Sequence, residues 1–229
     1  MTTRIRIRLA AATALLLAAA ATWLAFGPTK AEALDGDRSQ TADQFLTTVI
    51  KDVDAYWTKQ FADAGLPEPR VGYQWVPSGP IAQYSPEADT IQVSEEFATA
   101  IYNGALDDQL PGSSQGYGSA AGDFAVAYIV AHEYGHQVQD ELGLFERGIP
   151  TKPLELQADC YAGAWAKSAD EANRLDPGDV DEALEAALAV GDFNESDPGH
   201  HGTPEERANA WQTGFESGKP SACNTFLES

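Results

Sequence analysis

The 229-residue sequence has few basic residues, few histidines and few cysteines. Its 14 lysines and arginines stand against 35 aspartates and glutamates, which gives a formal net charge of −21. A surface of this charge repels nucleic acid and anionic lipid headgroups, so the composition predicts no nucleic-acid partner and favours basic substrates or bound cations. We find no internal repeat, and no acidic run is long enough to form a tail.

Histidine occurs only four times, and two of the four lie in the motif His132-Glu133-Tyr134-Gly135-His136. In this H-E-x-x-H pattern the two imidazoles are four residues apart on one helical face, with a carboxylate beside them. Their Cβ atoms are then about 5–6 Å apart, close enough for both rings to bind one Zn²⁺. The motif therefore predicts a zinc site.

The residues around the motif predict a buried helix. Apolar residues recur at steps of three and four from Phe124 to Leu142, a period typical of a helix with a buried face. Asp123 is the predicted N-cap of this helix and Gly143 its predicted end. Two unpaired imidazoles inside such a helix carry a desolvation cost, and a bound metal removes it.

A catalytic zinc site needs a third protein ligand. The class with a third histidine, H-E-x-x-H-x-x-G-x-x-H, is excluded because the required glycine and histidine positions hold Gln139 and Leu142. A following helix offers Glu155, and Asp159 shares its face four residues later. If Glu155 binds the metal, Asp159 is placed to accept the free ring N–H of a ligating histidine.

Two other interpretations of these acids stay open at this stage. Glu155 and Asp159 can simply belong to a solvated face in an acid-rich chain. Glu141 and Glu146 are rival ligands, but Glu141 shares the motif helix and points elsewhere. Glu146 follows the motif too closely for the chain to turn back.

Several stretches of the chain after about residue 120 occur in a fixed order. They are residues 122–139, Leu142-Gly143, the motif Glu155-Leu156-Gln157-Ala158-Asp159-Cys160 with its continuation to residue 166, and residues 201–211, 214–215 and 223–226. In this order they resemble the bacterial neutral zinc metallopeptidase family. The resemblance implies a zincin-like fold and a metal-dependent peptidase, with His132, His136 and Glu155 as ligands and Glu133 as the catalyst.

The chain departs from this family upstream of the motif. The family usually carries a cysteine pair around a Cys-Gly and a Tyr-Cys-Pro segment. Here the second segment is Tyr84-Ser85-Pro86, and no cysteine precedes Cys160. The upstream crosslink is therefore missing, and the resemblance implies less about the first hundred residues.

The residues predict hydrolysis through a zinc-activated water. Three protein ligands leave a coordination position for water, whose pKa falls from 15.7 to about 7. Glu133 can take the proton of that water as general base and later pass it to the leaving amine. His201 is our candidate oxyanion donor, because the resemblance includes His201-Gly202 and because it precedes a helix in a loop; the alternative is an ordinary loop histidine. Tyr134 is interpreted as a packing residue.

The N-terminus has the pattern of an export signal. Arg4, Arg6 and Arg8 precede an apolar run of 18 residues, 9–26, and Ala31-Glu32-Ala33 fits a small-x-small cleavage site. Residues 1–33 are thus predicted to be a signal peptide or an N-terminal membrane anchor, followed by a metallopeptidase domain at 34–229. We favour cleavage after Ala33, although the run is just long enough to span a bilayer. In both cases the domain is exported, either secreted or membrane-anchored outside the cytosol.

Export gives the two cysteines a specific meaning. Cys160 and Cys223 are an even pair in an oxidising compartment, which favours a disulfide. It would tie the C-terminal tail to the helix that carries Glu155. The alternative is a pair of buried free thiols.

The pattern along the chain predicts an α+β fold, a mostly helical single domain with a small N-terminal β-sheet, and the family resemblance implies that this domain is zincin-like. Thr41 with Gln44 and Thr203 with Glu206 form capping boxes that open the first and last helices. Short strands are expected at 71–76 and 90–93. We interpret 90–93 as the edge strand that holds an extended substrate, and 111–122 as a mobile Gly- and Ser-rich stretch near the cleft.

Together these features predict an exported zinc metalloendopeptidase that acts on a peptide or protein substrate with Zn²⁺ as cofactor. A secreted, non-catalytic binding module stabilised by zinc is an alternative, but a structural site needs no base and usually has four protein ligands. A zinc amidase acting on cell-wall amides is a further alternative, because it breaks the same type of bond with the same zinc-activated water.

Overall fold

The computed structural model describes residues 41–79, 82–104, 110–112, 115, 117 and 121–228. These residues belong to one compact unit, 31–229. The predicted signal peptide or anchor at 1–33 lies outside the described residues. Within the described part of the chain, no helix is both long and apolar enough to cross a membrane.

Helix α1 (Ala42–Ala64) begins at the predicted capping box. The Thr41 side chain accepts a hydrogen bond from the backbone N–H of Gln44, and the Gln44 side chain accepts one from the backbone N–H of Thr41. Gly65 ends the helix in the left-handed region, at φ 70°. The inner face of α1 consists of apolar side chains at four-residue steps, which are buried in the core: Phe45, Val49, Val53, Trp57 and Phe61.

A three-stranded sheet follows, formed by β1 (Gly72–Val76), β2 (Ala82–Ser85) and β3 (Thr90–Ser94). The strand order is β1-β3-β2, with β1 parallel and β2 antiparallel to β3. The interpretation of 90–93 as the substrate-binding edge is wrong, because β3 is paired on both sides. Its Ile91 and Val93 are buried in the core. β2, which the sequence pattern did not reveal, is an edge strand.

Helix α2 (Glu95–Tyr102) continues directly from β3, and helix α3 (Asp123–Glu141) carries the H-E-x-x-H motif. The predicted N-cap of α3 is wrong by one residue, because Gly122, at φ 110°, holds that position. The N-terminus of α3 instead receives a carboxylate from a distant helix: Glu182 Oε2 accepts the Phe124 N–H at 3.0 Å. The predicted end is confirmed, since Gly143 adopts φ 63° directly after the helix.

The remaining helices are α4 (Thr151–Glu171), α5 (Asp179–Val190) and α6 (Pro204–Ser217). Short 3-10 helices lie at Phe145–Arg147 and Pro220–Leu227. The second capping box is confirmed, because Thr203 and Glu206 each accept the other's backbone N–H.

Glycines allow the helices that carry the motif residues to approach one another closely. A Cβ at Gly135 of α3 would lie 3.0 Å from Ala158 Cα of α4. Between α4 and α6 the approach is closer still, since a Cβ at Gly214 would lie 1.9 Å from the Cys160 carbonyl oxygen. The prediction of a mostly helical α+β domain with a small N-terminal sheet is confirmed, and α3, α4 and α6 meet at the motif.

Candidate metal centre

Helices α3 and α4 bring His132, His136 and Glu155 together. Glu155 Oε2 lies 3.2 Å from His132 Nε2, and Glu155 Oε1 lies 3.2 Å from His136 Nε2. One nitrogen or oxygen of each residue lies within 4.8 Å of the other two. Both imidazoles therefore turn the same ring nitrogen toward one carboxylate, as a shared cation requires.

Asp159 determines how His132 is oriented. Its Oδ1 lies 2.8 Å from His132 Nδ1, and the side chain is fully buried. Asp159 follows Glu155 by four residues on α4, so both acids reach the same side of that helix. The carboxylate accepts a hydrogen bond from Nδ1–H, which leaves Nε2 of His132 for a metal.

Gln139 holds the second imidazole. Its Oε1 lies 2.9 Å from His136 Nδ1, while its Nε2 donates to the Leu154 carbonyl at 2.7 Å and to Gln157 Oε1 at 3.1 Å. These two donated bonds fix the amide so that oxygen faces the imidazole, which makes Nδ1 the protonated nitrogen of His136.

Arg207 of α6 completes the buried cluster. Its Nε donates to Asp159 Oδ2 at 2.8 Å and its Nη2 to Asp159 Oδ1 at 2.9 Å. The Tyr128 hydroxyl donates to Asp159 Oδ1 at 2.6 Å. Asp159 thus satisfies three buried groups, and the paired guanidinium offsets its charge.

The surroundings shift the pKa values of the cluster in a consistent direction. Burial opposes a charge on His132, yet Asp159 overrides this and raises the pKa of His132 to about 9. Burial also opposes protonation of His136, whose pKa Glu155 nevertheless raises. Burial favours a neutral Glu155, but His136 and His132 hold its pKa well below the usual range. The cluster therefore favours positive charge at the two Nε2 atoms, where a divalent cation can replace protons.

The donor set fits zinc. Two imidazole nitrogens and one carboxylate oxygen form the His₂Glu set of catalytic zinc sites, and both rings have the outer hydrogen-bond partner that such ligands usually have. The rivals Glu141 and Glu146 do not line the cleft around this group. Glu141 instead accepts a hydrogen bond from Gln137 at 3.2 Å.

Glu133 lies beside the group and is oriented by β2. Its Oε2 accepts the backbone N–H of Tyr84 at 2.7 Å. The Tyr84 hydroxyl donates to Asp140 Oδ2 at 2.7 Å, about two helical turns after Glu133 on α3. β2 is therefore attached to α3 at two points, and one of them is the carboxylate that follows His132.

His201 lies in the loop before α6 and lines the same cleft. Its side chain is about half exposed, its Nδ1 lies 3.2 Å from Asp192 Oδ2, and its backbone N–H donates to the same oxygen at 2.9 Å. The neighbouring His200 is buried, with Nδ1 2.6 Å from Asp192 Oδ1. Asp192 thus fixes the loop through two histidines.

The cleft around the group has a volume of about 460 Å³. Strand β2 lines it with Ala82, Gln83 and Tyr84, and the loop and helix ends contribute Leu110, Pro111 and Val190. The stretch 111–122, predicted to be mobile, lies partly outside the described residues. Within it, the Gly112 N–H donates to the Ala189 carbonyl at 2.8 Å.

The predicted disulfide between Cys160 and Cys223 is present. It joins the 3-10 helix at the C-terminus to α4 immediately after Asp159. Cys160 and Cys223 are both fully buried. The alternative of two free thiols is therefore wrong.

Sequence reasoning missed Arg207, Tyr128, Gln139 and Asp192. Arg207 gave a signal, because it lies at a helical step from Ala210, Trp211 and Gly214, on the buried face of α6. An arginine on such a face needs a buried partner. Tyr128 gave no local signal, because its partner Asp159 is 31 residues away. Asp192 gave none either, because its contacts depend on the conformation of the loop before α6. Gln139 follows His136 by three residues, but the orientation of its amide depends on how α4 packs.

The fold and the site together define a class of protein. It is an α+β domain in which the motif helix and the following helix bring two histidines and one glutamate together, beside a second glutamate. Residues 112–226 match the family described as "putative neutral zinc metallopeptidase", and this chain belongs to that family. All the candidate ligands lie within the matched range.

Relatives with similar sequences include proteins of two different bacteria. The uncharacterized protein YpfJ of Escherichia coli K12 is 39% identical over 48% of this chain and 46% of its own. The uncharacterized protein Rv2575 of Mycobacterium tuberculosis H37Rv is 37% identical over 48% of this chain and 47% of its own. The chain thus spans about half the length of these relatives. No solved structure matches it.

Proposed function

We propose that this chain is an exported zinc metallopeptidase that hydrolyses peptide bonds. His132, His136 and Glu155 hold the zinc, and Glu133 acts as general base. The observation that carries this proposal is the convergence of two imidazole Nε2 atoms on one carboxylate, directly beside Glu133, in an open cleft. Membership of the zinc metallopeptidase family supports it.

Hydrogen bonds within the protein orient the two candidate histidine ligands for metal binding. Asp159 and Gln139 keep protons on the two Nδ1 atoms, so both Nε2 atoms serve as ligands. Bound zinc supplies a Lewis acid that lowers the pKa of water to about 7 and polarises the substrate carbonyl. Arg207 keeps Asp159 ionised, because it lowers the pKa of that carboxyl against the effect of burial.

Glu133 moves the proton. Its carboxylate accepts the proton of the attacking water and later passes it to the nitrogen of the leaving amine. The Tyr84 N–H restricts the carboxylate to one orientation, since the 2.7 Å hydrogen bond holds Oε2 at the end nearer β2.

His201 is the proposed donor to the oxyanion. Asp192 holds the Nδ1 side of the imidazole, which leaves Nε2 for a ligand in the cleft. In this role the Nε2–H of His201 donates to the developing oxyanion, and a single donor of this kind contributes about 2.7–4 kcal/mol in comparable enzymes.

Strand β2 is the proposed site for an extended peptide. It is at the edge of the sheet and lines the cleft. Edge strands bind extended peptides through backbone hydrogen bonds, and pockets beside the strand bind alternate side chains of the peptide. Peptide or protein chains are therefore the substrates that this cleft fits.

The proposed location is outside the cytosol. The sequence of residues 1–33 supports a signal peptide or a membrane anchor. The Cys160–Cys223 disulfide supports an oxidising compartment, because cytosolic thiols are usually kept reduced.

The experiment uses the purified full chain with a reduced and alkylated protein as substrate. We expect about one zinc per chain, cleavage that a chelator abolishes, and recovery on adding zinc. Glu133→Gln is expected to keep the zinc and lose turnover by about 10²–10⁴-fold.

Glu141→Gln is the matched control, because Glu141 is on the same helix but outside the cleft, and its activity should equal that of the parent. Cleavage by Glu133→Gln at the parental rate would contradict the role of the base. A chain that binds zinc but cleaves neither protein nor cell-wall peptide would instead be the non-catalytic module, whereas cleavage of cell-wall amides alone would identify the amidase.

A further inference from the structure

Part of the lining of the cleft is apolar and is not used by the proposed chemistry. Leu110, Ile129 and Val190 all line the cleft, and all three belong to or pack against the same hydrophobic cluster. Ile129 lies one turn before His132 on α3, Val190 is the last residue of α5, and Leu110 belongs to the segment between α2 and α3. We name these three residues the apolar end of the cleft.

A close backbone approach holds two of the elements that form this end together. The Gly112 N–H donates to the Ala189 carbonyl at 2.8 Å, which holds the segment of Leu110 against the C-terminus of α5. A side chain at residue 112 would prevent this approach, because its Cβ would lie 2.1 Å from the Leu188 carbonyl oxygen. Leu110 and Ile129 are 9% and 7% exposed and belong to the hydrophobic core, so core packing holds both side chains in place.

The distance between the apolar end of the cleft and the proposed zinc ligands determines which substrate side chain reaches this end. Ile129 is about five residues along α3 from the midpoint of His132 and His136, or about 7.5 Å along the helix axis. An extended peptide advances about 3.3–3.6 Å per residue. One such advance covers about half of the distance, and the length of a leucine side chain covers the rest. The side chain of a residue that flanks the scissile bond can therefore reach Ile129.

The chemistry of the apolar end selects an uncharged side chain. The charged groups elsewhere in the cleft have partners of their own: Asp192 pairs with two histidines and Arg207 with Asp159. A charged substrate side chain placed against Leu110, Ile129 and Val190 would lose its hydration without gaining a partner.

We propose that the apolar end of the cleft is a specificity pocket for an aliphatic side chain, of the size of leucine, on a residue flanking the scissile bond. The inference rests on the proposed peptidase function, and it names the substrate class of that site. Val190 controls the depth of the pocket because it is the half-buried member, whereas Ile129 forms the wall nearest the proposed zinc ligands.

The test uses the full zinc-loaded chain and compares peptides that differ only in a leucine, an alanine or a phenylalanine beside the cleaved bond. We expect kcat/KM to be about 10-fold or more higher for the leucine peptide. Val190→Phe fills the pocket and should remove this preference. Ile129→Ala enlarges the pocket and should shift the preference toward phenylalanine, which keeps the test decisive if Val190→Phe does not fold.

Val180→Phe is the matched control, because Val180 is a partly buried valine of the same helix that does not line the cleft. It should keep the leucine preference. Cleavage of both peptides at equal rates by the parent, or an unchanged preference in the folded Val190→Phe and Ile129→Ala variants, would overturn the pocket and leave the peptidase function standing.

A binding measurement separates this inference from the proposed function. Peptide hydroxamates with a leucine or an alanine side chain need bound zinc but no turnover. We expect the leucine compound to bind about 10-fold more tightly, and Val190→Phe to lose the difference. If this selectivity appears without any hydrolysis, the pocket is supported and the peptidase function fails; equal affinities overturn the pocket.

Discussion

At the scale of single residues, the site depends on the buried groups behind the candidate ligands. Gln139 and Asp159 each hold one Nδ1, and Arg207 pairs with Asp159 through two hydrogen bonds. Partners of this kind typically change metal affinity by 10–100-fold when they are removed. They are therefore the residues at which substitutions report on the site without deleting a ligand.

Gln139→Leu is expected to weaken zinc binding by about 10–100-fold. The substitution removes the acceptor of His136 Nδ1–H, and the imidazole loses its fixed orientation. The dissociation constant for zinc, measured by competition with a chromogenic chelator, checks this prediction.

Gln137→Leu is the control for Gln139→Leu. Gln137 is also buried on α3, but its amide contacts Glu141 and the Arg70 carbonyl. The zinc affinity of Gln137→Leu should equal that of the parent. An equal loss of zinc affinity in both variants would show that the loss comes from removing a buried amide, and not from removing the hydrogen bond to His136.

Arg207→Met is expected to lower the free energy of unfolding by about 3–5 kcal/mol, because it leaves the buried Asp159 charge without its partner. Lys152→Met breaks the partly exposed pair with Glu206 and should cost at most about 1 kcal/mol. Chemical denaturation of both variants checks the difference. Similar losses in the two would contradict the account of the buried cluster.

The candidate ligands could be predicted from the sequence because their spacing is local. His132 and His136 share one helix turn, as do Glu155 and Asp159, and the structure brings all four together. Arg207 and Asp192 could not be assigned in this way. The contacts of Arg207 depend on the packing of α6 against α4, and those of Asp192 on the conformation of the loop before α6.

At the scale of the elements, the N-terminus of α3 lies in an acidic environment. Asp123, Asp179 and Glu182 bring carboxylate oxygens within 4.8 Å of one another. Burial is the main cause that raises the pKa of Asp179, to about 7, and the charges of Asp123 and Glu182 add to it. The Asp176 N–H, which donates to Asp179, acts in the opposite direction.

These shifts predict a dependence of stability on pH. The usual pKa of 3.8 applies to Asp179 in the unfolded chain, so folding favours its protonated form. Its stabilising contribution is full below about pH 4 and is lost as pH rises through 7. Asp179→Asn cannot ionise, and its free energy of unfolding should increase relative to that of the parent between pH 4 and 8.

Asp181→Asn is the control for this effect, because Asp181 is exposed on the same helix. Its unfolding free energy should follow that of the parent across the range. A difference between Asp179→Asn and the parent that does not change with pH would contradict the raised pKa.

The helices were predictable and one strand was not. Capping boxes and four-residue apolar steps are local signals, and the helices that begin after Thr41 and Thr203 are confirmed. β2 has only four residues and ends directly before Pro86, which left no alternating pattern to recognise. Its importance comes from the contact of Tyr84 with Glu133, which no sequence pattern encodes.

At the scale of the whole molecule, the disulfide joins the C-terminus to the helix that carries Glu155 and Asp159. Cys160 and Cys223 are 63 residues apart, and closing a loop of this length typically stabilises a fold by about 2–4 kcal/mol. The double variant Cys160→Ala/Cys223→Ala should lose this amount. Denaturation with and without a reducing agent checks this prediction. The agent should lower the free energy of unfolding of the parent but not of the double variant, and an unchanged parent would contradict the proposed contribution of the disulfide.

The overall class was predictable because helical periodicity, scarce histidines and two cysteines in an export context point the same way. The contacts that depend on how the helices pack against one another were not predictable from the sequence. The close approach of α4 and α6 at Gly214, which brings Arg207 to Asp159, requires knowledge of which helices touch. The apolar end of the cleft likewise unites residues about 20 and 60 positions apart.

The most direct measurement is a crystal structure of the zinc-loaded chain with an anomalous difference map recorded at the zinc absorption edge. We expect one strong peak about 2.0–2.2 Å from His132 Nε2, His136 Nε2 and a Glu155 carboxylate oxygen. A zinc peak that lies away from Glu155, or only among Asp123, Asp179 and Glu182, would contradict the proposed metal centre.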